Sequence, residues 1–95
     1  MKIPKKLKIG NLIYKISELD DSDDTHFGKS TEREQWIRLS TQFSSEEKRV
    51  ETLFHEIIHQ ILDRCSYVDE SKDEKLIDCL ANGLYQVLKE NNLLK

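Results

Sequence analysis

Two histidines and a glutamate in Thr52-Leu53-Phe54-His55-Glu56-Ile57-Ile58-His59-Gln60-Ile61 have the types and spacing to hold a metal ion and to use it. His59 follows His55 by four positions, so a helix sets both imidazoles on one side, one turn apart. There each can give a ring nitrogen to the same ion. Glu56 lies about 100° round the helix from His55. It is too far round to be a short-range ligand, yet it can bond a water held on the metal and serve as a base. The chemistry available to such a trio is hydrolysis by an activated water.

A catalytic zinc site takes three protein groups and keeps its fourth position open, so a third ligand has to come from elsewhere. His26, Asp63, Asp69, Glu70, Asp73, Glu74 and Asp78 are the candidates. Glu74 and Asp78 stand four apart, on one side of a second expected helix and next to Ile77 and Leu80-Ala81. The start of that helix faces back toward the metal once the two helices pack. Glu74 is the preferred ligand, with Glu70 and Asp78 as alternatives. Asp78, one turn further on, is expected to accept the outer ring N–H of a ligating histidine and so fix its tautomer. A competing role for Glu74 is in a capping box formed by Ser71-Lys72-Asp73-Glu74.

The elements that must position these residues are legible as patterns. Val50, Leu53, Phe54, Ile57, Ile58, Ile61 and Leu62 recur at helical spacing, which predicts a helix over 44–65, opened by a capping box from Ser44 to Glu47 with Gln42-Phe43 leading in. Leu76, Ile77, Leu80, Ala81, Leu84, Val87 and Leu88 predict a second helix that begins near Ser71 or Asp73 and runs to about Asn91. Residues 67–71 are expected as a connector, so short that the helices lie antiparallel or turn a sharp corner. Gly83 inside the second helix is expected to mark close helix packing. Upstream, residues 7–16 alternate on either side of Gly10-Asn11 and predict a β-hairpin. Residues 35–40 predict a strand with Ile37 and Leu39 on the core face and Trp36 and Arg38 on the other. Residues 27–30 fit a short strand or a turn.

The fold class expected is α+β: a small antiparallel sheet, made of the N-terminal hairpin and one further strand, packed on two long helices. Residues 1–95 form a single domain, small enough that a bound metal would contribute to its stability. Four carboxylates in residues 20–24 predict a solvent loop. An EF-hand reading from Asp21 to Glu32 fails because His26 stands where the turn needs glycine. A net charge of −3 with 35% charged residues of both signs carries no nucleic-acid footprint. Cys65 and Cys79 form no C-x-x-C and fit a reducing compartment. With no signal-like or membrane-length apolar run, the expected location is the cytoplasm, without a membrane partner.

His55-Glu56-Ile57-Ile58-His59 is the zincin signature. Followed by a helix bearing Glu74-Lys75-Leu76-Ile77-Asp78, it resembles the gluzincin pattern of Glu-x-x-x-Asp after the motif helix. With its small sheet, the chain is similar to minimal gluzincins, including short phage or prophage proteins near the ImmA/IrrE metallopeptidases. Cys65 stands where a metzincin has its third histidine, and no Met-turn is present. The resemblance implies a zinc metallopeptidase in which His55, His59 and Glu74 hold Zn²⁺, Asp78 supports a motif histidine and Glu56 is the general base acting on a peptide or protein substrate. A strand over 36–40 lying at the sheet edge would let substrate add as a further strand. His26, Tyr67 and Tyr85 are the candidates for oxyanion support. The alternative expectation is a zinc-stabilised, catalytically weak interaction module of phage origin that binds a host protein.

Overall fold

The computed structural model describes residues 2–19, 28–41 and 45–94. The acidic loop and calcium register of residues 20–27, with His26, and the lead-in of residues 42–44, with Ser44, lie outside them. The order of elements is β1 (Lys6–Ile9), β2 (Leu12–Glu18), β3 (Gly28–Thr31), β4 (Trp36–Leu39), α1 (Glu46–Arg64), α2 (Val68–Ser71) and α3 (Glu74–Glu90). The class is α+β as expected, but the sheet is mixed rather than antiparallel, in the order β1-β2-β4-β3. Residues 28–31 form a strand that pairs antiparallel with β4, Ser30 opposite Ile37. With β3 on one side of β4, β2 fills the other side in parallel, Ile16 opposite Ile37. Strand β4 is therefore interior, and β3 takes the edge. The β1–β2 hairpin forms as read, turning at Gly10 with φ +59, a backbone region that glycine enters without a Cβ penalty.

One face of this sheet is the core. Ile9, Tyr14, Ile37 and Leu39 point to it and close over Leu53 of α1. The opposite face carries Arg38, whose guanidinium lies 3.8 Å from the centre of the Trp36 ring. A second apolar cluster joins α1 to α3 through Val50, Phe54, Ala81 and Tyr85, with the Phe54 and Tyr85 rings edge to face at 5.7 Å. Ile57 packs on both clusters. Ile61, read as core, is instead exposed.

Helix ends decide how α1 hands the chain to α3. Ser45, one residue later than expected, caps α1 by accepting from the Lys48 N–H at 3.1 Å. Lys48 then occupies the third helical position, so the cap has no reciprocal glutamate. At the other end Ser66 takes φ 66, the Tyr67 N–H reaches the Leu62 carbonyl at 2.8 Å and the Ser66 N–H the Asp63 carbonyl at 3.2 Å. That is a Schellman stop built without glycine. It reverses the chain into α2, one helical turn where the sequence suggested only a connector, and seats Ser71 against α1. Asp73 caps α3 by accepting from the Leu76 N–H at 3.1 Å, which leaves Glu74 free of any capping role.

Helix α3 buries Ile77, Ala81 and Tyr85 but leaves Leu76, Leu80, Leu84 and Val87 exposed, so only half of its apolar set faces α1. A Cβ placed on Gly83 would meet nothing within 4 Å, so this glycine does not mark packing between the helices. Gly83→Ala is therefore expected to raise stability by about 1 kcal/mol, the helix-propensity difference, in urea unfolding of dilute protein. A loss of stability would mean that the backbone there is in close contact after all.

Candidate metal centre

The two helices bring three of the expected ligands to one point. His55 Nε2 lies 2.9 Å from Glu74 Oε2, His59 Nε2 lies 3.2 Å from Glu74 Oε1, and the two Nε2 atoms are 3.0 Å apart. A tetrahedral ion with bonds of about 2.0–2.1 Å separates its ligand atoms by roughly 3.4 Å, so this triangle is within a few tenths of an ångström of the size needed. His55, His59 and Glu74 form the one group of three such side chains among the described residues that could hold a metal ion. Neither Glu70 nor Asp78 joins it, and Asp63, Asp69 and Asp73 stay outside it as well.

The tautomers can be worked out from the second partners. His55 Nδ1 is 2.7 Å from Asp78 Oδ1, and a carboxylate only accepts there, so the proton sits on Nδ1. Asp78 thus accepts from the outer ring nitrogen of His55. His59 Nδ1 is 3.1 Å from Ser71 Oγ, whose own hydroxyl proton goes to the His59 carbonyl at 3.3 Å. Ser71 therefore accepts from Nδ1–H, and both imidazoles turn an unprotonated Nε2 toward Glu74. Three electron-rich groups facing one another at these distances repel unless a cation lies among them. Two imidazole nitrogens and a carboxylate oxygen are a donor set that divalent transition metals, zinc among them, accept. The metal-free counterpart is a proton on one Nε2, bonded to Glu74.

Ser71 was missed in the sequence reading because nothing local marks it: it is a serine in an apparent connector, brought 4% exposed onto His59 by the Schellman turn. Glu56 has a support of the same kind. Burial of Thr52, Glu56 and Gln60, spaced by four along α1, faces that stripe to β3. Tyr14 OH donates to Gln60 Oε1 at 2.9 Å, Gln60 Nε2 donates to Ser30 Oγ at 2.8 Å, and Ser30 Oγ donates to Glu56 Oε1 at 2.6 Å. Every proton in this chain runs one way and ends on the carboxylate. Burial, aided by Glu32 and Asp63 and opposed by Arg64, pushes the Tyr14 phenol up from its usual range, which keeps it a donor. Gly28 lets β3 approach, since a Cβ there would sit 2.9 Å from Thr52 Cγ2 and 3.3 Å from Glu56 Cγ.

Glu56, His55, His59, Glu74, Ser30 and Gly28 line a common cleft of ≈ 810 Å³. The histidine side chains are 17% and 16% exposed and that of Glu74 is 64% exposed, so the triangle opens toward solvent on the Glu74 side. Tyr85 is buried in the core and Tyr67, the residue before α2, is exposed; neither lines the cleft. Cys65 and Cys79 are both exposed free thiols. Among the described residues no helix is long and apolar enough to cross a membrane. No protein-family model, no curated protein and no solved structure matches the chain.

The outer partners give a graded test. Ser71→Ala and Asp78→Ala are each expected to weaken zinc binding by about 10–100-fold, and Glu74→Ala by more, in competition titrations against a chromophoric chelator with tag-free protein. Unchanged affinity in Glu74→Ala would remove it from the ligand set.

Proposed function

We propose that the protein is a zinc metallopeptidase of the gluzincin type, with His55, His59 and Glu74 as ligands and Glu56 as general base. The observation that supports this most is the meeting of two imidazole Nε2 atoms and a carboxylate at 2.9–3.2 Å on the same cleft as Glu56. A bound zinc would acidify a water at its open position and polarise the scissile carbonyl.

The chain's own residues supply the rest. Glu56 takes the proton of the attacking water and passes one to the leaving amine. The Ser30 hydroxyl fixes the rotamer of that carboxylate, and Gln60 and Tyr14 fix Ser30 in turn. Holding a base in one place lowers the cost of reaching the reactive geometry. Asp78 and Ser71 do the same for the two imidazoles. The sheet edge beside the cleft is β3, with Gly28, Lys29 and Ser30 on the lining. Its outward backbone groups can pair with an extended peptide, the role that the sequence reading had considered for the neighbouring strand.

Cleft size favours a substrate over a purely structural ion, because structural zinc sites are closed by four protein ligands while this one borders ≈ 810 Å³ of open groove. A zinc-stabilised module of phage origin that binds a host protein would have no use for a buried, hydrogen-bonded Glu56 beside the ligands. Free thiols at Cys65 and Cys79 fit action in a reducing cytoplasm.

Glu56→Gln is expected to keep one equivalent of zinc and to lose at least about a hundredfold of the cleavage rate on a mixed peptide library, the size of a general-base contribution. Equal turnover by the variant would take Glu56 out of the mechanism. Stoichiometric zinc with no turnover by the natural sequence would favour the interaction module instead.

A further inference from the structure

We propose that the outer face of the sheet, the side turned away from α1, binds single-stranded nucleic acid, with phosphates on its lysines and a base on Trp36 and Arg38. Strand alternation puts Lys6 and Lys8 of β1, Lys15 of β2, Lys29 of β3 and Trp36 and Arg38 of β4 on that side, since Tyr14, Ile37 and Leu39 point to the core. The other outward positions, Ile13, Ser17 and Thr31, are uncharged. Glu18 is the only acidic residue within the strands, and it pairs with Leu39 and so has the parity of the core face. Glu32 and Glu34 belong to the turn beyond the ends of β3 and β4. A whole-chain charge of −3 averages this segregation away, so composition alone carries no trace of it. Helices α2 and α3 pack on α1, and among the described elements none covers this face.

Register sets cation against cation. Lys6 stands directly opposite Lys15 in the pairing of β1 with β2, and Lys29 opposite Arg38 in that of β3 with β4. Like charges facing each other across a ladder destabilise it, and a bound polyanion removes that repulsion. Lys6, Lys8, Lys15 and Arg38 are exposed, and none forms an ion pair with a described carboxylate. Trp36 adjoins both pairs, opposite Lys15 and two residues from Arg38. Its indole Nε1 donates to Glu34 Oε2 at 3.2 Å, which holds the edge of the ring, and the Arg38 guanidinium lies over the ring at 3.8 Å. Indole and guanidinium together offer a surface on which a base stacks. Cations beside a stacking surface favour a single strand over a duplex, whose bases already stack on one another, and over a lipid surface, which has none. Lys29 and Trp36 also border the cleft, whereas Lys6, Lys8, Lys15 and Arg38 do not, so the proposal stands whether or not the chain is a peptidase.

Trp36 is the one tryptophan of the chain, and its fluorescence reads the proposal directly. A short oligothymidylate added to the full chain is expected to quench Trp36, with affinity falling about fifty-fold between about 50 and 200 mM salt for roughly four phosphates neutralised. Lys15→Glu places a carboxylate opposite Lys6, so it is expected to unfold at higher urea than the natural sequence while binding about tenfold more weakly. Trp36→Leu is expected to weaken binding of a fluorescein-labelled oligothymidylate by about tenfold, the loss of one stacked base. No binding at about 50 mM salt, or an affinity unchanged in Lys15→Glu, overturns the assignment of this face. Equal affinity for duplex DNA, or unchanged affinity in Trp36→Leu, overturns the single-strand reading. Binding to phosphatidylserine vesicles without any response to oligothymidylate overturns it as well, in favour of a membrane surface.

Discussion

The site depends on one constraint, the rotational phase of α3 against α1. His55 and His59 belong to α1 and Glu74 to α3, so a slip of one residue along or around either helix would carry Glu74 away from the imidazoles. That phase is fixed by packing: Val50 and Phe54 on one side, Ala81 and Tyr85 on the other, with Ala81 fully buried and small enough to let the axes come close. Ile77, also fully buried, lies between Glu74 and Asp78 and locks the turn that carries both. The Schellman stop after α1 and the Asp73 cap then set where α3 begins. The same short connection delivers Ser71 to His59, so the segment that joins the helices also orients that imidazole.

The sheet does for Glu56 what α3 does for the histidines. Edge strand β3 lies over α1 because Gly28 has no side chain to hold it off, and Ser30, opposite Ile37 on the core face, faces down to Glu56 and Gln60. A polar chain that starts at fully buried Tyr14 and ends on a carboxylate would be expensive if any member lacked a partner. Each hydroxyl and amide in it has one, so the chain ties sheet to helix and immobilises the proposed base together.

What could be read from the sequence was what repeats within one element. The spacing of His55 and His59, the apolar period of α1, the alternation around Gly10 and the inward Ile37 and Leu39 are local and came through. Glu74 and Asp78 were legible because they stand one turn apart on a helix whose start had to face the first. The parallel pairing of β2 with β4 was not, since it follows from β3 occupying the far side of β4, and Gly28-Lys29-Ser30-Thr31 has no alternation to declare a strand. Ser30, Gln60 and Ser71 are polar residues whose importance lies in what the fold brings to them. Helical period placed Leu76, Leu80, Leu84 and Val87 with Ile77 and Ala81, but a period cannot say which part of a wide apolar arc a neighbour covers.

Zinc K-edge X-ray absorption on the zinc-loaded, tag-free chain tests the coordination by these side chains most directly. A first shell of nitrogen and oxygen only is expected, with the outer-shell scattering of two imidazoles. A sulfur neighbour at about 2.3 Å, which would bring Cys65 or Cys79 into the shell, or the scattering of a single imidazole, would contradict it.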